Sequence, residues 1–446
     1  MSELYQMQRS MRALRRAALQ RGSVALLDVG TSKITCIVLR FDGPASFRSE
    51  DGVGPMAGQS SFRIVGAATT QSRGVRYGEI HTLVETERAI RTAVQQAQKR
   101  AGERIDHVIA TMSGGRPASY GIAGEIPLPA GKVREGDIAR VMAASDVPDF
   151  GRGREVLHAQ PVNFAVDRLS GLPDPRGHAG SVLAVDMHAL TADEDALQTL
   201  CHAIRRCDLE VAGIASAAYA AGLSSLVEDE QELGAACIDM GGGSTGVSIF
   251  FRKHMIFADC VRMGGESVTS DIALGLGIAP TVAERLKTFS GGIEATGRDD
   301  RDMIQLTPEG ENGDARDRRA VSRAELIGIM RPRVEEILEQ VRAVLDVAGF
   351  DDMPSQQIVL TGGGSQIPGL DGLAARMLGP NVRVGRRPLR VAGQPDQLTG
   401  PGFAAIIGLA LFAAHPQDEW WDFDMPAEAY PARSLRRAVR WFRNNW

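Results

Sequence analysis

The stretch Ala236–Phe250, with the sequence ACIDMGGGSTGVSIF, determines how the rest of the chain is interpreted. It predicts an apolar strand that ends at Asp239, a glycine turn at 241–243 and a second apolar strand. Glycines let a backbone approach a ligand closely, because they have no Cβ atom. Exposed amides with the hydroxyls of Ser244 and Thr245 suit phosphate oxygens, and the acid suits hydrated Mg²⁺. A simple hairpin fits equally well, so this stretch alone leaves both interpretations open.

The same pattern occurs near the start of the chain, at 24–40. There a strand ends in the region of Asp28, a glycine turn with hydroxyl residues and Lys33 follows, and a second apolar strand begins at Ile34. Two such units indicate two similar halves that face each other with phosphates between them. Lys33 provides a positive charge that the second copy lacks. No GxxxxGK[ST] motif is present, so the chain is not expected to be a P-loop protein.

A third glycine run, at 362–364, follows a predicted strand at 357–361 and precedes a predicted helix that begins at Leu370. In a nucleotide cleft between two domains, this run would pack against a base or ribose. An ordinary turn between a strand and a helix is the alternative.

The composition limits the function classes. A length of 446 residues predicts two to four domains, and 43% hydrophobic with 24% charged residues is ordinary for a soluble protein. A net charge of -5 argues against a general nucleic-acid binder. Five cysteines without CxxC spacing favour a reducing cytosol over a disulfide framework or zinc site. No signal peptide is recognisable, and the apolar run at 403–414 is too short to span a membrane, which predicts a buried helix.

The two ends of the chain are basic. Residues 1–21 contain five arginines and predict a frayed basic tail or, alternatively, a weak membrane or partner helix. Residues 416–431 predict a disordered acidic tether. Beyond it, residues 432–446 predict a helix lying in a membrane interface, with docking on the protein's own surface as the alternative. The predicted membrane residues are Leu435, Arg436, Arg437, Val439, Arg440, Trp441, Phe442, Arg443 and Trp446.

Three glycine motifs in this order, within a duplicated chain, resemble the actin/Hsp70/sugar-kinase superfamily. With an insertion after residue 82, the AERLK segment at 283–287 and a tethered terminal helix, the chain is similar to the FtsA family of bacterial cell-division proteins. The resemblance covers about 22–412 and the last fifteen residues. It implies an α/β, actin-like, duplicated two-lobed fold with an inserted α+β subdomain and a C-terminal amphipathic helix.

The domains expected from the sequence and the resemblance are as follows. They are a basic extension (1–21), a first lobe (22–82 and 166–234), an inserted subdomain (83–165), a second lobe (235–265 and 322–412), a nucleotide-capping and FtsZ-tail-binding subdomain (266–321), an acidic tether (416–431) and a membrane helix (432–446).

The resemblance also implies ATP and Mg²⁺ in a central cleft. Asp28 and Asp239 would position Mg²⁺ through water. The implied nucleotide-binding residues are Asp28, Gly30, Thr31, Ser32, Lys33, Asp239, Gly241, Gly242, Gly243, Ser244, Thr245, Glu284, Lys287, Gly362, Gly363, Gly364 and Ser365. The last six would surround adenosine.

The family implies a polymerising protein that anchors FtsZ filaments, through the FtsZ C-terminal tail, to the cytoplasmic face of the bacterial inner membrane. Its partners would be FtsZ, other copies of itself, anionic lipid and later division proteins, with no nucleic acid. An actin-like scaffold of type IV pilus assembly and a small-molecule kinase of the same superfamily are the alternatives.

Two positions depart from the superfamily pattern. Gly246 stands where many relatives have an acid, so one polar contact is missing. The stretch 213–218 also lacks the carboxylate or amide that orients the attacking water in actin-like ATPases. We therefore expect ATP binding with weak or no hydrolysis, and no catalytic residue is predicted.

Overall fold

The computed structural model describes residues 10–14, 17, 22–41, 62–129, 131–306, 319–385, 390–415, 417, 419 and 420. The predicted membrane helix at 432–446 lies outside the described residues, as do most of the acidic tether and of the N-terminal extension. Within the described residues, no helix is long and apolar enough to cross a membrane.

The first part of the chain forms a sheet and a covering helix. Its elements are β1 (Ser23–Val29), β2 (Lys33–Phe41), β3 (Phe62–Gln71), β4 (Val75–Arg76), β5 (Glu79–Ile80), α1 (Leu83–Ala101) and β6 (His107–Met112). Strand β1 is buried almost throughout because it is central in the sheet. Helix α1 buries one alanine-rich face and ends at Gly102, whose φ of 69° is the left-handed conformation that terminates helices.

The next elements form a separate sheet with its own apolar core. They are β7 (Ala118–Pro127), α2 (Glu135–Ala143), β8 (Arg154–Val166), β9 (Leu169–Leu172) and β10 (Val182–Asp193). The strand order is β7-β10-β8-β9. On β7, the Ser119 hydroxyl bonds both the carbonyl and the amide of Ala258, at 2.9 and 2.8 Å, so this inserted sheet lies against the second lobe.

The chain then returns to the first lobe through α3 (Glu194–Arg205), β11 (Glu210–Ser216), α4 (Ala217–Ser225) and the short α5 (Glu228–Leu233). The first sheet thereby has the order β11-β6-β1-β2-β3. Strands β1 and β2 are antiparallel, whereas β6 and β11 run parallel to β1.

The second lobe repeats this arrangement. Its elements are β12 (Ala235–Met240), β13 (Thr245–Phe251), β14 (His254–Val261), α6 (Gly265–Leu276), α7 (Pro280–Ser290), β15 (Met303–Leu306), β16 (Arg319–Ser322), α8 (Arg323–Ala348), β17 (Gln357–Thr361), α9 (Leu370–Leu378) and β18 (Val382–Val384). The last helix, α10 (Ala404–Ala414), packs back on β1 and β6 of the first sheet. The sheet order is β14-β13-β12-β17-β18, and β12 pairs antiparallel with β13 but parallel with β17. The two sheets therefore have matching topologies.

Helices α4 and α10 cross between the two sheets. A Cβ atom at Gly408 of α10 would lie 1.5 Å from the carbonyl oxygen of Ala220 in α4, so only glycine permits this approach. Ser224 of α4 also donates a hydrogen bond of 2.8 Å to the carbonyl of Ala404. The apolar run at 403–414 is the buried helix that the sequence predicts.

The bounds of the insertion differ from the expected 83–165. Helix α1 packs on β2 and β3, and β6 pairs with β1, so residues 83–112 belong to the first lobe. The separate sheet instead extends through β10 to Asp193. Which sheet a strand joins depends on distant pairing partners that local pattern does not reveal.

Candidate functional site

A cleft of about 1030 Å³ separates the two lobes, and the turns of both Asp–Gly hairpins line it. The β1–β2 turn faces the cleft from the first lobe, and the β12–β13 turn faces it from the second. The third glycine run and residues of α6 and α7 complete the wall. The duplicated strand order therefore brings together side chains that are far apart in the sequence.

The first turn is short and supported by side-chain hydroxyls. The Gly30 amide donates to the carbonyl of Lys33 at 3.1 Å and closes the turn. The Thr31 hydroxyl accepts a bond of 3.0 Å from the amide of Gly78, in the β4–β5 hairpin. Asp28, 8% exposed, accepts from the hydroxyl of Thr111 at 2.5 Å.

The second turn is supported by backbone contacts. The amides of Gly265 and Glu266, at the start of α6, donate to the carbonyls of Gly241 and Gly242 at 2.9 and 2.7 Å. A Cβ atom at Gly243 would lie 2.5 Å from the Thr31 hydroxyl oxygen. Because the two turns touch, glycine is required here for a structural reason. The stretch 236–250 forms a hairpin and also part of the cleft wall. Its interpretations as a hairpin and as a ligand-binding turn are therefore compatible.

Electrostatics distinguish the two acids. Burial raises the pKa of Asp28, while Thr111 and Lys33 act in the opposite direction. Burial, reinforced by the charge of Asp28, raises the pKa of Asp239 to about 7, and Lys33 again opposes the shift. The ammonium of Lys33 lies 4.5 Å from the ring centre of Phe403. Two mutually repelling carboxylates beside a single lysine leave a negative region that a cation would stabilise.

The donor set fits a hydrated Mg²⁺ ion better than an all-protein metal cage. Within the described residues, no cluster of three or more His, Cys, Asp or Glu could hold a metal. Mg²⁺ usually keeps several water ligands and takes one or two carboxylates together with substrate phosphates. Asp28, Asp239 and the open volume between the turns meet that requirement.

The third glycine run approaches Asp239 closely. Gly362 has a φ of 82°, and a Cβ atom there would lie 2.4 Å from a carboxylate oxygen of Asp239. Gly363 and Gly364 also line the cleft. This run lies where β17, the parallel neighbour of β12, ends, so its position follows from the sheet order.

Two predicted nucleotide-binding residues lie behind the wall instead of on it. The Thr245 hydroxyl donates to the carbonyl of Met263 at 2.8 Å, and Ser365 donates to the carbonyl of Gly362 at 2.8 Å. Both side chains are buried. Their hydroxyls are engaged in supporting the turns, a role that the sequence pattern does not distinguish from ligand binding.

Glu284 and Lys287, on α7, both line the cleft. Their charged groups are 2.6 Å apart, and the Lys287 ammonium also donates to the carbonyl of Gly265 at 2.9 Å. Thr269 joins them, with its hydroxyl 2.5 Å from Glu284 and 2.8 Å from Lys287. The pair therefore ties α7 to the start of α6.

Sequence reasoning missed the contribution of α6 to the wall. Gly265, Glu266, Thr269 and Ser270 line the cleft. Burial, together with the charge of Glu284, raises the pKa of Glu266, although Lys287 and Arg76 lower it. The glycine pair 264–265 was a usable signal, because glycines that precede a helix let its first backbone amides approach a neighbouring turn closely.

The segment Ser216, Ala217, Ala218 forms the floor of the cleft, hereafter called the floor segment. It contributes neither a carboxylate nor an amide side chain. A Cβ atom at Gly246 would lie 3.0 Å from that of Ala218, so little room exists there for a larger side chain. The departure at Gly246 thus follows from how closely the floor segment packs.

Comparison with known proteins agrees with this architecture. A family model described as cell division protein FtsA matches residues 236–408, and one for the SHS2 domain inserted in FtsA matches 114–191. The second match coincides closely with the separate sheet.

The cell division protein FtsA of Rhizobium meliloti is 40% identical over 390 residues, covering 87% of this chain and 86% of that protein. FtsA of Agrobacterium fabrum is 39% identical with the same coverage. Among solved structures, the PilM–PilN type IV pilus biogenesis complex superposes with a TM-score of 0.59, at 17% identity, over 88% of this chain and 99% of that chain.

The similarity to the pilus protein is one of fold, whereas the FtsA proteins are similar in sequence as well. The pilus-scaffold alternative is therefore not favoured. The fold is actin-like with an inserted subdomain, as expected, and the chain belongs to the FtsA family of cell division proteins.

Proposed function

We propose that this chain is an ATP-binding cell-division protein that anchors FtsZ filaments to the cytoplasmic face of the bacterial inner membrane. The observation that supports nucleotide binding most strongly is the meeting of two Asp–Gly turns across one cleft. Each turn belongs to a different lobe, so a ligand that contacts both would fix the lobes relative to each other.

The residues on the wall suit different parts of the ligand. Thr31, Ser32, Lys33 and the turn at 241–244 would hold phosphates, and Asp28 with Asp239 would hold Mg²⁺ through water. Glu284, Lys287 and the run at 362–364 would surround adenosine. ATP with Mg²⁺ supplies a polyanion that both turns can contact at once.

Hydrolysis would be slow because the floor segment has no group to orient water. We infer that the nucleotide acts as a switch that biases polymerisation of the chain, and that turnover is incidental. A turnover rate like that of a metabolic kinase, measured with the purified protein, would contradict this.

Attachment to the membrane would depend on the C-terminal end. If residues 432–446 form a helix, the sequence would place Leu435, Val439, Phe442 and Trp446 on one stripe and the arginines on the other side. Each arginine near anionic lipid contributes about 1 kcal/mol, which together with the apolar face supports reversible attachment. The subdomain at 266–321 would receive the FtsZ tail, and later division proteins would join the assembly.

Vesicle sedimentation tests the proposal. Full-length protein with ATP and Mg²⁺ should pellet with vesicles of mixed anionic and neutral phospholipid and should carry FtsZ into the pellet. A variant ending at Pro431 should bind ATP as tightly as the full chain but stay in the supernatant with FtsZ.

Vesicles of neutral lipid alone provide the control for the arginine contribution, and the full chain should pellet much less with them. Equal pelleting of the full chain and the truncated variant would contradict membrane anchoring through the terminal helix.

A further inference from the structure

Three residues at the start of the predicted tether (416–431), just after α10, lie against the body of the protein instead of being solvated. They are Gln417, Glu419 and Trp420, here called the strap. Glu419 is only 2% exposed, although it belongs to a strongly acidic stretch of sequence. A carboxylate is rarely buried without a specific partner, so its contacts indicate what the strap does.

The Glu419 carboxylate faces the inserted subdomain. The Nδ1 atom of His158 lies 3.0 Å from one of its oxygens, and the Gln160 amide donates to the same oxygen at 3.3 Å. Both partners belong to β8 and are almost fully buried. The carboxylate therefore joins the end of the described chain to a strand more than 250 residues earlier.

The other strap residues contact further parts of the molecule. Trp420 packs on the small buried cluster of Val156 and Ala159 in β8, as does Phe150. The Gln417 amide donates to the carbonyl of Lys253 at 2.8 Å, in the β13–β14 hairpin of the second lobe. The strap thus contacts the inserted subdomain and the second lobe together.

The histidine that holds the strap also holds the floor of the nucleotide cleft. The backbone amide of Ser216 donates to Nε2 of His158 at 3.0 Å. Because Nε2 accepts this bond, the ring proton belongs on Nδ1, where it can be donated to Glu419. One imidazole therefore connects the root of the tether directly to the floor segment.

The strap contact is well suited to reversible docking. It is held by a few directional bonds to Glu419 and Gln417. Within the described part of the chain, the Gln160 amide oxygen and the Trp420 indole nitrogen are buried without a hydrogen-bond partner. Such polar groups can regain hydrogen bonds to water when the strap leaves, which favours opening relative to a wholly apolar contact.

We propose that the strap couples the C-terminal tether to the nucleotide cleft through His158, so that docking of the strap and binding of ATP favour each other. The inference rests on the proposed function, because it assumes that the cleft binds ATP and that the tether leads to the membrane. When the strap is docked, Glu419 orients His158, and His158 fixes the floor segment. When the strap leaves, the floor segment loosens and ATP must order it on binding, which weakens affinity.

Coupling between two sites is reciprocal, so two independent measurements test it in the full-length protein. Hydrogen exchange should show that ATP with Mg²⁺ slows exchange at 417–420 about fivefold. A fluorescent ATP analogue should bind Glu419→Ala about fivefold more weakly than wild type, at the lower end of usual coupling factors. Glu419→Gln keeps an acceptor oxygen for His158 and should recover most of the affinity.

Asp396→Asn provides the matched control, because it removes a carboxylate whose side chain is 94% exposed and should leave ATP affinity unchanged. A second variant that ends at His415 lacks the strap altogether and should resemble Glu419→Ala in ATP affinity. Thermal unfolding identifies any variant that fails to fold.

The coupling would be overturned if Glu419→Ala and the variant ending at His415 both bound ATP with wild-type affinity. It would also be overturned if ATP left hydrogen exchange at 417–420 unchanged. In either case nucleotide binding by the wild type would still stand. Absence of ATP binding by the wild type would instead overturn the proposed function, and exchange at 417–420 without ATP would still report whether the strap is docked.

Discussion

The two turns that face each other across the cleft have the same strand order behind them but different support. The first contains Lys33 and is held by hydroxyls, with Thr31 bonded to the β4–β5 hairpin. The second has three glycines, no cation, and a backbone brace from α6. The matching topology sets where each acid lies, whereas the surrounding residues set its charge state.

The difference shows how one repeated unit can serve two purposes. A lysine beside Asp28 offsets part of the cost of burying that acid, and Asp239 has no comparable neighbour on its own turn. The second turn instead lies close enough to the first to contact it. The first turn provides a positive charge, and the second turn provides a backbone that can approach a ligand closely.

Substituting the glycine where the turns touch should have the largest effect. In Gly243→Ala the new Cβ would lie 2.5 Å from the Thr31 hydroxyl oxygen, so one turn must move. A distortion costing about 3 kcal/mol would weaken ATP binding on the order of 100-fold. Titration with a fluorescent ATP analogue and denaturant unfolding measure the two consequences.

Substitutions at two other glycines serve as comparisons for Gly243→Ala. A Cβ at Gly30 would meet only the Lys33 carbonyl at 3.0 Å, so Gly30→Ala should be milder. Gly328→Ala, on an exposed position of α8 with open space around it, should leave binding unchanged. Equal losses at Gly243 and Gly328 would show that the contact between turns is unimportant.

Removing the one cation of the first turn should have the next largest effect. Lys33→Ala should weaken ATP binding about 20-fold, because a hydrogen bond to a charged group contributes roughly 1.5–3 kcal/mol. Lys99→Ala removes an exposed lysine in the last turn of α1 and serves as the control. If both variants bind ATP like wild type, the charge asymmetry between the turns has no role in binding.

The second acid should make stability depend on pH without nucleotide. The native state raises the pKa of Asp239 from 3.8 to about 7, so it binds the proton more tightly than the unfolded chain. Stability should therefore fall as pH rises from about 4 to 7 and level off above 7. Asp239→Asn should remove this part of the slope.

The expected size is smaller than the roughly 4 kcal/mol that the full pKa shift would correspond to, because Asp239 lines the cleft and is only partly buried. At pH 8 without nucleotide, Asp239→Asn should be about 1–2 kcal/mol more stable than wild type in denaturant unfolding. Some slope should remain, because burial also raises the pKa of Asp28. A variant that is less stable than wild type at pH 8 would contradict the view that burial and the charge of Asp28 destabilise ionised Asp239.

The smallest effects should separate the two hydroxyls of the second turn. Ser244 lines the cleft, so Ser244→Ala should weaken ATP binding about threefold, while Thr245→Val should leave affinity unchanged. Loss of the Thr245 bond to Met263 should instead lower stability by about 1 kcal/mol. The reverse pattern would mean that Thr245 reaches the ligand.

The sequence was sufficient to predict both hairpins, the third glycine turn and the buried helix at 404–414. Each has a strong local pattern of apolar residues and glycines, and strand-end acids follow from that pattern. It was also sufficient to predict that the hairpins belong to matching halves, because the two copies keep the same order of residue types.

Features that depend on distant contacts could not be predicted in this way. The sheet that β6 or β10 joins depends on strands far along the chain. Whether the hydroxyl of Thr245 or Ser365 faces the cleft or the protein depends on carbonyls brought close by folding. The burial of Glu419 has no local signal, since its neighbours predict an acidic, solvated segment.

The central claim is that the two halves form one Mg²⁺–ATP site, and calorimetric titration of ATP with and without Mg²⁺ tests it most directly. Wild type, Asp28→Asn, Asp239→Asn and the double variant should be compared. If both acids act on one ion, either single variant should lose most of the Mg²⁺ dependence, and the double variant should be little worse. A shared site would be contradicted if the losses of binding free energy in the two single variants summed to the loss in the double variant. It would also be contradicted if ATP binding by the wild type did not depend on Mg²⁺.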